Sequence, residues 1–336
     1  MWNLSKILFL ATLALGTILT ISSNSWFGMW MGLEINLLSF IPIMKNKNKL
    51  ATEAALKYFI VQAMASTILL FSVITIYLGK ASFEPTKEMM ILALNSSILL
   101  KMGAAPFHFW FPEVMEGLEW MKSLILLTWQ KIAPMILFMY SNNSIFFSTV
   151  IIIACMVISG IMGQNQLSLK KIMAYSSINH IGWMIAAMTF SESIWLYYYV
   201  IYTIISLNII LMFKIMNIVF MKQLFLILST NPLLKLTLML NFLSLGGLPP
   251  FLGFMPKWMT IQTLVSESFY LLATIMVIMT LLTLFFYMRI TFSTMTLTMN
   301  SLPNSLPKME NKFILISSNL LAILGLITIT LSFNFL

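Results

Sequence analysis

KMGAAPFHFWFPE, residues 101–113, is the stretch that decides how this sequence folds. It places a lysine, a histidine and a glutamate in an apolar segment that a glycine and two prolines interrupt. A matching interruption, GGLPPFLGFMPK at residues 246–257, repeats the Pro-Phe pair 144 positions later. In both stretches a second proline follows the first by six residues and precedes a charged residue. Two proline-broken apolar segments in corresponding places predict a transporter built from internal repeats, with an ion path at the breaks.

The composition around these breaks is that of a membrane protein. Of 336 residues, 60% are hydrophobic and 9% are charged, whereas soluble proteins have about 25% charged residues. The mean hydropathy of +0.95 leaves no room for a soluble domain. The net charge of +9 comes from basic residues scattered over short loops, not from an aromatic-basic patch, so nucleic acid is not the expected partner. The single cysteine, Cys155, excludes an intrachain disulfide.

Apolar runs long enough to cross a bilayer recur along the chain. We predict an all-α polytopic membrane protein with about eleven transmembrane helices, because no stretch alternates apolar and polar residues as a strand does. The predicted spans that contain the two breaks are the longest. The spans lie near residues 4–23, 25–44, 52–79, 87–121, 122–141, 145–166, 168–190, 194–217, 234–264, 267–293 and 312–334.

The breaks also predict the domain organisation. Residues 1–141 are the first repeat, with its broken helix near 101–113, and residues 142–293 are the second, with its broken helix near 246–257. A polar linker and a last transmembrane helix follow at 294–336. The first span has no convincing cleavage site, so we expect it to be retained rather than removed as a signal peptide.

Loop lysines predict the orientation. The loops on the N-terminal side hold most of them, which places the N-terminus inside, and an odd number of spans places the C-terminus outside. The opposite loops hold little beyond Lys80 and Lys87. The lysines on the N-terminal side are Lys6, Lys45, Lys47, Lys49, Lys122, Lys170, Lys171, Lys222, Lys235, Lys308 and Lys312.

Four charged residues fall inside or beside the predicted spans: Glu34, Lys101, Lys131 and Lys257. A charge at the bilayer centre costs roughly 2.5–3.5 kcal/mol, so a chain that otherwise avoids charge keeps these for a reason. Burial lowers the pKa of a lysine from about 10.4, and a carboxylate about 4 Å away raises it again. A buried lysine with a switchable glutamate therefore exchanges protons near neutral pH, and Glu34 and Lys101 are the candidate pair.

The sequence leaves a structural alternative open for each of these residues. Gly28 and Gly32 form a small-residue packing face, so Glu34 would then bond a neighbouring helix. The lysines would extend to an interface or form structural ion pairs. His108 and His180 are candidate relay residues, or else they bond backbone carbonyls.

Other charged residues favour structural roles. Glu113, Glu116 and Glu119 share a helical stripe, which we expect to face solvent or another subunit because two histidines and no aspartate support a metal site poorly. Glu53 and Lys57 are expected to pair across one helical turn. The chain has no dinucleotide fingerprint, phosphate-binding loop or nucleophile–base pair, so we expect it to bind no cofactor or metal.

Five stretches carry a resemblance to a known family: residues 23–36, 101–113, 127–131, 176–183 and 245–258. In these stretches the sequence resembles the antiporter-like membrane-arm subunits of mitochondrial NADH:ubiquinone oxidoreductase, respiratory complex I. That family is similar to subunits of Mrp-type cation/proton antiporters. The resemblance implies two inverted five-helix repeats, each with a Pro-broken helix, plus a final helix.

The resemblance also implies roles for the buried charges. Glu34 and Lys101 match the modulating pair of the family, Lys131 its central relay and Lys257 the lysine of the second broken helix. His108 and His180 lie in matching motifs with less defined roles. These residues would carry protons in a redox-driven pump.

Further implications concern location and partners. The family is a multi-pass component of the inner mitochondrial membrane, with the N-terminus on the matrix side and the C-terminus on the intermembrane-space side. NADH, FMN, iron–sulfur clusters and ubiquinone would be used by other subunits. The partners implied are an adjacent antiporter-like subunit, small membrane subunits, accessory subunits and lipids such as cardiolipin. Two other functions share the same buried charges: a stand-alone cation/proton antiporter and a structural membrane subunit.

Overall fold

The structure is a computed structural model that describes residues 4–46, 48–78, 84–141, 144–228, 232–249 and 251–296. Regular structure in these ranges is helical apart from one isolated antiparallel bridge, between Ser168 and Phe220. The all-α prediction is therefore confirmed. The chain divides into two compact units, Met1–Ile151 and Ile152–Leu336.

The helices are numbered in chain order. The first unit contains α1 (Leu4–Ser22), α2 (Trp26–Met44), α3 (Lys49–Leu78), α4 (Glu84–Met102), α5 (Trp110–Gly117), α6 (Trp120–Leu127) and α7 (Trp129–Ser141). The boundary between the units falls within α8 (Ile145–Gln164). The second unit continues with α9 (Leu169–Phe190), α10 (Glu192–Met216), α11 (Met221–Leu228), α12 (Pro232–Gly246), α13 (Phe254–Ser266) and α14 (Tyr270–Thr296).

Every predicted span in the described ranges coincides with a helix or with two consecutive helices. The last predicted span, near 312–334, and the linker before it lie outside the described residues. By length and composition, 7 helical segments of the described chain are able to cross a membrane, with α6 and α7 together forming one of them. Helix α9 is not among them, but it is enclosed by protein almost along its whole length and so needs no continuous apolar surface. The total of eleven crossings remains a prediction.

Two features were not predicted. Helix α11 lies in a segment that the sequence marked only as a connection. The predicted span 122–141 is interrupted at Thr128, where the hydroxyl donates to the Leu124 carbonyl over 2.7 Å. Beyond it, Pro134 has no N–H to donate to the carbonyl of Gln130. The helix is therefore irregular on both sides of Lys131.

The first break separates α4 from α5. Gly103 ends α4 with a φ of +75°. Its N–H bonds the Leu100 carbonyl over 3.2 Å, and the next N–H, from Ala104, bonds the Leu99 carbonyl over 3.0 Å. This is the Schellman arrangement, which satisfies the last carbonyls of a helix.

The second break separates α12 from α13 and begins in the same way. Gly247 has a φ of +75°. Its N–H bonds the Ser244 carbonyl over 3.0 Å, and the Leu248 N–H bonds the Leu243 carbonyl over 3.3 Å. The helix before each break, α4 or α12, thus ends with the same motif. Pro250 of the second break lies outside the described residues.

A close approach of backbone holds the second break together. A Cβ added at Gly253 would lie 1.8 Å from the Ser244 carbonyl oxygen, so only glycine allows α13 to begin against the end of α12. A Cβ added at Gly246 would meet its nearest atom at 3.6 Å, which is an ordinary contact.

We therefore expect Gly253→Ala to destabilise the protein by about 3 kcal/mol, because the backbone must move to admit the methyl group. The matched control, Gly246→Ala, should change stability by less than about 1 kcal/mol. The measurement is the thermal unfolding midpoint in detergent. Equal midpoints for the two variants would contradict a close contact at Gly253.

Candidate functional site

Lys101 lies in the last turn of α4, which packs against α3 and α7. It is 7% exposed. Side chains from neighbouring helices satisfy the backbone around it: Gln62 donates to the Lys101 carbonyl over 3.3 Å, and the Trp110 indole donates to the Leu100 carbonyl over 3.1 Å. A cation at this position also faces the negative end of the helix dipole. The helix end therefore offsets part of the cost of burying a charged Lys101.

Glu34 of α2 is half-buried and lies within electrostatic reach of Lys101. The two side chains do not form a direct ion pair, because no ion pair between them within 4.0 Å exists in the described chain. The structure thus brings the predicted pair near each other but not into contact. Gly32, on the predicted packing face, lies against the backbone of Gly16 in α1, so small residues do pack this helix.

A small polar cavity lies beside Lys101. The cavity has a volume of about 20 Å³, which is large enough to hold one water molecule. The walls come from α2, α3, α4 and α7. They are Leu33, Asn36, Leu37, Tyr58, Gln62, Lys101, Gln130 and Pro134.

A hydrogen-bonded chain of neutral side chains runs along this cavity. The Gln130 amide donates to Asn36 Oδ1 over 2.9 Å, and the Tyr58 hydroxyl donates to Gln130 Oε1 over 3.4 Å. Sequence reasoning missed these residues and Gln62 because it weighed only charged side chains. Amides in the middle of apolar spans were the available signal, and Asn36 and Gln130 lie in the motifs already quoted.

Lys131 is 1% exposed and lies directly after the irregular turn at Thr128. Its ammonium is 5.4 Å from the ring centroid of Phe111, the second residue of α5. This distance is within the range of a cation–π contact. The structure therefore places the predicted central lysine against the far side of the first break.

Lys257 binds the second break itself. It is 7% exposed, and its ammonium donates to the Gly246 carbonyl over 2.8 Å. It also lies 5.9 Å from the ring centroid of Trp183. The residue that matches Trp110 here is Phe254, whose side chain has no N–H to donate. A carbonyl at the helix end therefore accepts from a charged side chain in the second break, whereas the carbonyls at the first break accept from neutral side chains.

The two histidines occupy different surroundings. His108 Nδ1 is 3.2 Å from the Pro106 carbonyl, the backbone contact that its structural alternative predicted. His180 Nδ1 is 2.8 Å from the Tyr198 hydroxyl, and the His180 ring centroid is 5.0 Å from that of Tyr202. The sequence did not indicate this tyrosine cluster on α10.

Two of the three glutamates in the predicted stripe form ion pairs with lysines. Glu113 bonds Lys57 over 2.5 Å, and Glu119 bonds Lys122 over 3.6 Å. Helix α5 packs against α3 and brings Glu113 into the ion pair with Lys57, whereas Glu53 of the predicted pair acts on this lysine only through its charge. Within the described ranges, no group of three or more His, Cys, Asp or Glu side chains is arranged to hold a metal ion.

The helical fold and its two lysine-bearing breaks define a class, the antiporter-like membrane proteins. Residues 23–283 match the family described as NADH:quinone oxidoreductase/Mrp antiporter, TM. NADH-ubiquinone oxidoreductase chain 2 of Anopheles gambiae is 51% identical over 299 residues, which cover 87% of this chain and 86% of that protein. The Aedes aegypti protein of the same name is 48% identical over 338 residues, 98% of each chain. The chain therefore belongs to the NADH-ubiquinone oxidoreductase chain 2 family.

Solved structures share the fold at low sequence identity. A chain of respiratory complex I from Thermus thermophilus has a TM-score of 0.86 and 22% identity, covering 98% of this chain and 79% of that chain. A chain of the Mrp complex from a Dietzia species has a TM-score of 0.80 and 14% identity, covering 96% and 75% respectively. The fold is therefore common to complex I and Mrp complexes.

The hydrogen bond from Trp110 to Leu100 yields a stability prediction. Trp110→Phe keeps most of the apolar contact but removes one of the two donors to the Leu100 carbonyl, which retains the Gly103 N–H, so we expect a loss of about 1 kcal/mol. Trp258→Phe is the control, because Trp258 is 49% exposed. The measurement is the thermal unfolding midpoint of the two variants. A Trp110→Phe midpoint no lower than that of Trp258→Phe would contradict the role of this bond.

Proposed function

We propose that this chain is a membrane-arm subunit of respiratory complex I that translocates protons across the inner mitochondrial membrane. Electron transfer from NADH to ubiquinone takes place in other subunits, which hold FMN and the iron–sulfur clusters. The observation that carries the proposal is the burial of three lysines at or beside the helix breaks: Lys101, Lys131 and Lys257. Ionisable residues inside a membrane are rare and mark ion pathways or proton relays.

In the first unit, Glu34 acts on Lys101 through its charge without forming an ion pair. A pair that is near but not in contact responds to small displacements, because the interaction energy varies steeply at short separation. Movement of Glu34 toward Lys101 holds the proton on the lysine, and movement away releases it. The energy of quinone reduction, delivered through neighbouring subunits, drives this movement.

The cavity beside Lys101 supplies the next step. A water molecule there has the Tyr58 hydroxyl and the Gln62 and Gln130 amides as partners. Lys131 does not line this cavity, so the onward transfer to the central lysine rests on the family resemblance. Protons pass from Lys101 toward Lys131 through this water, and Tyr58, Gln62 and Gln130 position it.

In the second unit, Lys257 carries the proton toward the exit. The protonated ammonium bonds the Gly246 carbonyl, and its charge is attracted to the C-terminal end of α12. Loss of the proton weakens this attraction and loosens the second break. The step between Lys131 and Lys257 rests on the family resemblance, as do the relay roles of His108 and His180.

The same proposal includes the orientation and the partners. The lysine asymmetry of the loops supports an N-terminus in the matrix and a C-terminus in the intermembrane space. An adjacent antiporter-like subunit and small membrane subunits form the assembly. Each proton moved against 100 mV costs about 2.3 kcal/mol, which the redox reaction must supply.

Two other functions use the same fold. A stand-alone Mrp-type antiporter would need no redox partner, but relatives named NADH-ubiquinone oxidoreductase chain 2 match this chain at up to 51% identity. A structural subunit would need its lysines only for assembly. Neutral substitutions separate that function from proton translocation.

The central test is Lys131→Met in the assembled complex. We expect proton uptake per NADH oxidised, or the turnover coupled to it, to fall about tenfold or more, since methionine fills the space but holds no proton. Lys87→Met is the matched control, because Lys87 is exposed at the start of α4. NADH oxidation and proton uptake are followed together in sealed vesicles. Normal values for Lys131→Met, or failure of assembly alone, would assign Lys131 a structural role.

The Glu34–Lys101 pair predicts non-additive effects. Glu34→Gln should slow coupled turnover about tenfold in the native background and have little effect once Lys101→Met is present, because the two residues act through one interaction. Glu88→Gln, an exposed change on α4, serves as the control. The measurement is coupled turnover of both single variants and the double variant. Additive losses would show that Glu34 and Lys101 act independently.

A further inference from the structure

A second cavity, of about 400 Å³, lies between the ends of α8, α11 and α14 in the second unit. Its lining includes the polar residues Asn165, Arg289 and Ser293. It also includes the apolar residues Leu167, Phe225 and Ile290. The proton relay uses none of these residues.

Backbone bonds hold the walls of this cavity in place. The Leu169 N–H bonds the Val219 carbonyl over 2.9 Å, and the Met221 N–H bonds the Leu167 carbonyl over 3.2 Å. These bonds flank the isolated bridge and attach α11 to the connection between α8 and α9. An unpredicted short helix thus forms one side of a shaped cavity.

Arg289 is the only arginine of the chain. Its Nη2 donates to the Gln164 carbonyl over 2.5 Å, which fixes the guanidinium at the cavity. A guanidinium has five N–H donors in a planar fork, so one bond to the protein leaves donors for an anion. This planar fork matches the oxygens of a phosphate group better than a lysine does.

The described charged residues at the cavity end of the second unit are basic. The described glutamates of the unit, Glu192 and Glu267, lie at its other end, where the rings of Phe190 and Phe269 are 5.1 Å apart. The length of α9, about 33 Å for 22 residues, separates the two ends. Lysines gather at the cavity end instead: Lys170, Lys171 and Lys222.

The depth of the cavity points to a lipid. Helices α8 and α14 are both long and apolar enough to span a membrane, and the cavity lies where α8 ends and α14 approaches its end. That level corresponds to the headgroup region, where an anionic lipid offers a phosphate beside an acyl chain.

We propose that this cavity binds the headgroup of an anionic phospholipid. Arg289 bonds the phosphate oxygens, the Asn165 amide offers a further donor, and the start of an acyl chain lies against Leu167 and Phe225. A soluble phosphate ester shares the charge chemistry but leaves these apolar side chains without a partner. The inference does not depend on the proton relay.

The test uses the whole complex in phosphatidylcholine vesicles that contain a photoactivatable phosphatidylglycerol. We expect the label on peptides that cover the cavity to fall about fivefold or more in Arg289→Gln, in line with the loss of one cationic contact to an anionic lipid. Arg289→Lys should retain part of it. Lys122→Gln is the matched control: it removes a cation of the first unit and should leave cavity labelling unchanged.

Three outcomes would overturn the proposal. Labelling of Arg289→Gln equal to that of the native protein would show that the guanidinium binds no headgroup. Displacement of the label by excess inorganic phosphate would identify a soluble anion as the ligand. If Arg289→Gln does not assemble, Ser293→Leu fills the cavity while keeping Arg289, and undiminished labelling of that variant would exclude the site.

Discussion

A helix that stops inside a membrane must have its last carbonyls satisfied by protein, because hydrocarbon offers no donors. Both breaks of this chain meet that requirement first with a Schellman motif, at Gly103 and at Gly247. They differ in the further donor. Neutral side chains serve the first break, and the ammonium of Lys257 serves the second.

This difference explains how charge is tolerated in so apolar a chain. Each buried lysine has its own form of compensation, and neither Lys101 nor Lys257 forms an ion pair with a described carboxylate. Lys101 lies at the end of a helix with Glu34 in electrostatic reach, Lys131 faces the ring of Phe111, and Lys257 bonds a backbone carbonyl. Such partial compensation leaves a lysine able to exchange its proton, whereas a tight ion pair would retain it. That property connects the breaks with the proposed relay.

Long-range packing determined which partners met. The pairing of Lys57 with Glu113 and the Asn36–Gln130–Tyr58 chain join residues far apart in sequence. Spacing along one helix could predict only the local pair of Glu53 and Lys57, whereas the ion pair of Lys57 is with Glu113. The turn at Thr128 was not predicted for a related reason. A hydroxyl that donates to a backbone carbonyl of the preceding turn does not change the apolar pattern of the sequence.

The sequence by itself determined the helical class, most of the spans, the two breaks and the charged residues to consider. It could do so because hydropathy, proline and glycine act locally, and because a charge in an apolar run is conspicuous. Only the tertiary structure decided that Glu34 and Lys101 are near without touching, that neutral amides and a tyrosine line the cavity beside Lys101, and that Lys257 bonds the carbonyl of its own break. Those outcomes depend on how helices from distant parts of the chain pack, and many sequences with the same apolar pattern would pack differently.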